Sequence, residues 1–288
     1  MILELQTNFS SAWLTSLSPK MGYLGTALLF TSLTTLLAAI WSTHNYTTAL
    51  QDHHLQFSQF LHRLFDSHQS CNPNHAYTTT IISTSPLLIH ITNFLTAAEA
   101  AAIILTGTPN LKPSFIANSD SNTRHPSDAR SSLSGALPPN TPPVSCVLAR
   151  AREFLGPSLL AEYEDFGIPQ LVRYSEGEKF DLHYDWFASP QPIEGRRGVF
   201  VNRVASFFVY LDTPGRSAGG ETWFPHIDID IDVEESDGKG KGEMEGRWRR
   251  HEQGGVAFRP QRGSAVFWVN LWGNETGDWR VQHAGLPL

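Results

Sequence analysis

Beyond Phe166 the apolar positions fall into short runs: Leu171–Tyr174, Phe180–Phe187, Ser206–Leu211, Val256–Arg259 and Ala265–Leu271, each bounded by Gly, Pro or Asn. Short apolar or alternating runs with such boundaries predict strands, and their recurrence predicts a two-sheet jelly roll. Upstream the period changes. Leu87–Ile91 predicts one strand, and the Ala-rich stretch after Thr96 predicts a helix, with Thr96 as N-cap and Glu99 three positions on in capping-box spacing. Val147, Leu148, Ala151 and Leu155 share one side of a second helix over Val144–Leu155. Asn110–Pro143, rich in Ser, Pro and Asn, predicts a long loop. The expected fold is α+β, a double-stranded β-helix (jelly roll) over residues 85–288 with N-terminal supporting helices. A polar insertion, 227–255, interrupts it. There Asp228, Asp230 and Asp232 alternate with Ile but lack the glycine and closing Glu of a calcium loop, so a solvated loop is expected.

The N-terminal pattern is different. Residues 21–41 contain no charge and are long enough at 1.5 Å per residue to cross a hydrocarbon core of about 30 Å. A transmembrane signal anchor is expected there, preceded by an N-terminal tail over 1–20. Lys20 just before it hints that the N-terminus faces the cytosol, which places the folded part in the endoplasmic reticulum lumen or beyond. Residues 42–84 carry six histidines, but Leu55, Phe57, Phe60, Leu61, Leu64 and Phe65 recur at helical spacing. That pattern predicts a stalk helix with its histidines on the wet face.

Bulk composition narrows the function classes. The 288 residues carry a formal net charge of −7 and no long basic run, which argues against a nucleic-acid partner. Two cysteines, Cys71 and Cys146, allow one disulfide but no Cys-x-x-Cys metal pattern.

The stretch Tyr174–Phe187 holds the candidate chemistry. His183 and Asp185 are two apart, so on a strand both project from one face, with Leu182, Tyr184 and Trp186 on the other, in apolar packing. An imidazole, a nearby carboxylate and a distant second His make the facial triad that holds Fe(II) with open positions. His226, His251 and His283 are available as the third ligand. His283, which follows a buried strand and a turn, suits the role best, because a ligand must be held in orientation.

Five motifs occur in order: Tyr174-x-x-Gly-x-x-Phe-x-x-His183-x-Asp185, Asn202–Leu211, Gly219–Pro225, Pro260–Trp268 and His283–Pro287, with Asn93–Glu99 and Arg130-Ser-Ser upstream. Over 85–288 the chain resembles the prolyl 4-hydroxylase alpha-subunit family of Fe(II)- and 2-oxoglutarate-dependent dioxygenases. The resemblance implies that His183, Asp185 and His283 bind Fe(II) and that Tyr174 hydrogen-bonds the 2-oxoglutarate cosubstrate. It also implies decarboxylation of 2-oxoglutarate to succinate coupled to hydroxylation of a proline-containing peptide by O2, with L-ascorbate keeping the iron reduced. The family's cosubstrate-binding Lys, ten positions after the distal His, would be position 293, past Leu288. With Arg280 and Arg262 the available substitutes, weaker cosubstrate binding is expected, as is an unpaired sheet edge where the family's last strand adds. A relative that binds iron or partners without turnover is the alternative.

Overall fold

Period-two alternation places the strands of this protein in two facing sheets. A computed structural model describes residues 1–8, 72, 75–117, 124–125, 129–160, 166–192, 200–215, 219–229 and 246–288. In chain order the strands are β1 (Ile2–Asn8), β2 (Thr78–Thr84), β3 (Leu87–Thr92), β4 (Lys112–Pro113), β5 (Ile116–Ala117), β6 (Arg124–His125), β7 (Leu133–Ala136), β8 (Gln170–Arg173) and β9 (Phe180–His183). They continue with β10 (Gln191–Pro192), β11 (Phe200–Val201), β12 (Arg203–Tyr210), β13 (Thr222–Phe224), β14 (Trp248–Arg250), β15 (Val256–Phe258), β16 (Ala265–Val269) and β17 (His283–Gly285). The larger sheet has the order β2-β3-β16-β12-β1-β8-β7-β4 and the smaller β14-β15-β13-β17-β9. All their pairings are antiparallel.

The large sheet buries both faces. One row (Leu3 and Leu5 on β1, Phe207 and Val209 on β12, Phe267 on β16) packs against the helices Ala97–Gly107 and Pro142–Leu160 through Ile103, Val147, Leu148 and Ala151. The opposite row (Ile2, Phe208, Tyr210, Val266, Trp268) packs against Phe224, Val256 and Phe258 of the small sheet. A side-chain period of two is what sends neighbours along one strand into different cores. The first helix starts as its sequence predicts: Thr96 and Glu99 form the reciprocal capping box, and Glu99 also pairs with Arg150 of the second helix at 2.7 Å. The second helix spans Pro142–Leu160, broken at Gly156, whose φ of 72° is left-handed.

Several expectations need correction. Residues 2–8, read as part of a tail, form β1 in the middle of the large sheet, paired with β12 on one side and β8 on the other. β1 lies between β12 and β8, so neither has an open edge on that side. Thr78–Thr84, read as the end of the stalk, is the outer strand of the same sheet. The ends of the 227–255 insertion belong to the fold: Ile227 and Ile229 are buried, and Trp248–Arg250 extends the small sheet. The remainder of that insertion, including Asp230 and Asp232, lies outside the described residues, as do the apolar run 21–41 and residues 42–71 of the stalk. Among the described residues no helix is long and apolar enough to cross a membrane.

Candidate metal centre

β9 and β17 pair with His183 directly opposite His283, which brings two imidazoles from positions a hundred residues apart in the chain (283 − 183) to ring centroids 4.3 Å apart. The strand reading is corrected in one respect. β9 ends at His183, so Asp185 stands in the following turn and the two are not successive residues on one strand face. Leu182, expected in apolar packing, is 44% exposed. Trp186 does pack inward, with its indole N–H donating to the Asp278 carbonyl at 3.2 Å. Gly277 makes this possible, because a Cβ there would collide with the Trp186 ring. The Trp186 anchor fixes the turn that carries Asp185.

The carboxylate faces both rings. Asp185 Oδ1 is 3.9 Å from His183 Nε2 and 3.9 Å from His283 Nε2, and one ligand atom from each of the three residues lies within 4.8 Å of the others. Both rings are held in the same way: His183 Nδ1 meets the Asp181 carbonyl at 2.7 Å, and His283 Nδ1 meets that of Val281 at 3.0 Å. A carbonyl only accepts, so each Nδ1 carries the proton and each Nε2 lone pair is left for a metal. Ser206 on β12 donates to Asp185 Oδ2 at 2.6 Å and accepts in turn from Asn270 Nδ2 at 2.9 Å. That leaves Oδ1 as the free oxygen. Phe180 stacks on His183 with centroids 3.5 Å apart, and Trp268 and Phe224 wall in His283, which is 3% exposed.

Electrostatics point the same way. Burial lowers the His183 imidazole to about 3, and the neighbouring His283 adds to the effect, so the ring is neutral. Burial pushes Asp185 up, but His283, His183, Arg203 and the Ser206 hydrogen bond outweigh it and hold the carboxyl below its ordinary value. Two Nε2 atoms and one carboxylate oxygen, converging from a preset arrangement, fit a divalent first-row ion with part of its coordination sphere open.

Of the other candidates, His226 contacts Gln282 and Trp279, and His251 packs at a tilt against Trp223; neither joins the triad. Arg280 pairs with Asp278 at 2.6 Å and covers Trp272, and Arg262 pairs with Asp212 at 2.7 Å, so neither expected substitute cation lines the triad's cavity. That cavity, about 680 Å³, is lined instead by Arg130 and Arg203, together with Glu4 and Gln6 of β1. Tyr174 lines a second cavity of about 210 Å³ with Ile2, Phe208, Thr222 and Gly285. Burial pushes its hydroxyl well above the ordinary tyrosine range, against a hydrogen bond from Ser132, so it is a neutral hydroxyl.

Comparison with known proteins agrees with this geometry. Residues 169–288 match the family model of the 2OG-Fe(II) oxygenase superfamily, which takes in all three triad residues. This stretch resembles a prolyl 4-hydroxylase-like 2OG-Fe(II) oxygenase domain. The chain is 28% identical over 216 residues to prolyl 4-hydroxylase 13 of Arabidopsis thaliana, covering 72% of this chain and 68% of that one. It is 25% identical over 207 residues to the human prolyl 4-hydroxylase subunit alpha-1, covering 70% of this chain. The match spans only 32% of the human subunit's length. Among solved structures, a collagen prolyl hydroxylase of Paramecium bursaria Chlorella virus-1, in a 2OG complex, aligns with a TM-score of 0.44 at 20% identity, over 75% of this chain and 90% of that one.

The site also uses residues that spacing alone does not mark. Ser206 lies inside a quoted motif, and its signal was a small polar residue at an inward position of an otherwise apolar strand. Phe180 likewise sits in the His-x-Asp motif. Glu4 is outside every motif, and only the alternation of Ile2-Leu-Glu-Leu-Gln hints at a strand.

Proposed function

We propose that the protein is a prolyl hydroxylase: an Fe(II)- and 2-oxoglutarate-dependent enzyme that hydroxylates proline in a peptide or protein. The observation that carries the reading is the triad itself, with both Nδ1 atoms committed to carbonyls and Asp185 Oδ2 to Ser206. His183 Nε2, His283 Nε2 and Asp185 Oδ1 would hold the iron, which supplies the oxygen chemistry when bound. The residues around it prepare the site. Phe180, Trp268 and Phe224 keep water from the imidazoles, and a low-polarity wall strengthens each polar contact inside.

On this reading 2-oxoglutarate reaches from the triad into the 210 Å³ cavity, where the Tyr174 hydroxyl donates to it. The register supports the route. Ser206 at the triad and Phe208 in the smaller cavity are two apart on β12, as are His283 and Gly285 on β17, and such pairs share a face. The larger cavity, open beside His183 and lined by Tyr184, Trp186 and Phe187, would receive the peptide. L-Ascorbate is the expected reductant. The test is to incubate the purified chain with Fe(II), 2-oxoglutarate, ascorbate and proline-rich peptides under air. Succinate release matched by one added oxygen per peptide is expected. Full iron occupancy with neither product contradicts the proposal.

A further inference from the structure

β1 carries an acidic side chain to the wall between the triad and Tyr174. Its inward positions are Ile2, Glu4 and Gln6. Gln6 pairs in register with Ser206, the residue that holds Asp185, while Ile2 pairs with Tyr210 and Val172 and lines the smaller cavity. Glu4, opposite Phe208 on one side and Gln170 on the other, is the single inward step between those two levels. Its Oε1 is 3.7 Å from Arg130 Nη2, and it is close enough to Tyr174, Asp185 and Arg203 for its charge to bear on each. Arg130 Nη2 is buried and makes no hydrogen bond, so the pairing with Glu4 is loose.

We propose that Glu4 sets the affinity of the cosubstrate site. This inference rests on the 2-oxoglutarate reading above. Burial pushes the Glu4 carboxyl up, against Arg130 and Arg203, and a dianion lying from the triad toward Tyr174 passes this acidic group, whose ionised form repels it where charges are poorly screened. The same group faces the guanidinium of Arg130, a cation of the larger cavity's wall that would otherwise attract the dianion. Both effects weaken binding. The first strand therefore does more than complete the sheet: it places in the cavity wall a charge that holds 2-oxoglutarate affinity below what the cavity would otherwise give.

Calorimetry of 2-oxoglutarate binding, with the full chain loaded with Fe(II) under argon, tests this directly. Glu4→Gln keeps the shape and removes the charge. At full iron occupancy it is expected to bind 2-oxoglutarate about ten-fold or more tightly than wild type. Glu4→Ala should act in the same direction, and the double variant Glu4→Gln/Arg130→Met should lose part of the gain. Wild type that binds 2-oxoglutarate while Glu4→Gln binds equally or more weakly overturns this inference alone. Iron binding without 2-oxoglutarate binding in either protein overturns the inference and the cosubstrate reading together. A double variant that keeps the whole gain overturns the part assigned to Arg130.

Discussion

Ser206 decides which Asp185 oxygen is free. Its hydroxyl takes Oδ2 at 2.6 Å and is itself oriented by Asn270, so the carboxylate presents Oδ1 to the two imidazoles. Residues that orient a metal ligand without touching the metal typically contribute about 10- to 100-fold in metal affinity. Ser206→Ala is expected to weaken Fe(II) binding by roughly that factor while leaving the fold intact, measured by competition with a chromogenic chelator. Unchanged affinity would show that Asp185 holds its orientation without Ser206. His90 makes a different prediction. It is fully buried between the sheets, packed between Trp248 and Phe258, with no hydrogen bond at either ring nitrogen. Burial lowers it to about 3 from an ordinary 6.5. The unfolded chain therefore binds a proton that the folded chain refuses between those values, and this contribution to stability is complete above about pH 6.5 and lost progressively toward pH 3. His90→Leu should flatten that part of the stability-against-pH profile in denaturant titrations; an identical slope would mean the ring is not the source.

At the level of elements, β1 separates what the chain's pattern reveals from what it hides. The strands in the runs at Leu171, Phe180, Ser206, Val256 and Ala265 are legible because each short apolar run is closed by Gly, Pro or Asn, and the helix after Thr96 because its capping box is local. The His-x-Asp pair and His283 are legible from spacing and from flanking motifs. β1 is not, because its seven residues precede a long uncharged run that dominates the reading, and its partners Phe207 and Leu171 lie far along the chain. Tertiary pairing, rather than local propensity, makes it a strand. Asp185 was misplaced for a related reason: periodicity does not register that β9 stops at His183, where Trp186 turns inward to reach Asp278. If β1 is integral to the sheet, Leu5→Ala should be costly. Leu5 is fully buried against the helical layer, and a cavity there should lower unfolding free energy by about 2–5 kcal/mol, read from urea unfolding. A change under about 0.5 kcal/mol would show that β1 is not part of the cooperative unit.

For the whole molecule, the two sheets divide the work. The large sheet, backed by helices, is the rigid plate that supplies Ser206, Glu4 and Arg203, while the small sheet supplies both histidines through the β9–β17 pairing. The candidate metal site lies between them, so its geometry depends on how the sheets pack, and no single segment contains it. The three triad residues and the family-model match over residues 169–288 are consistent with one chemistry. The most direct test is metal content. Wild-type protein reconstituted anaerobically with Fe(II) and passed through a desalting column is expected to retain one iron per chain. His283→Ala and Asp185→Ala should each retain almost none while melting cooperatively in the metal-free form. Iron retained equally by wild type and both variants would contradict the account at its centre.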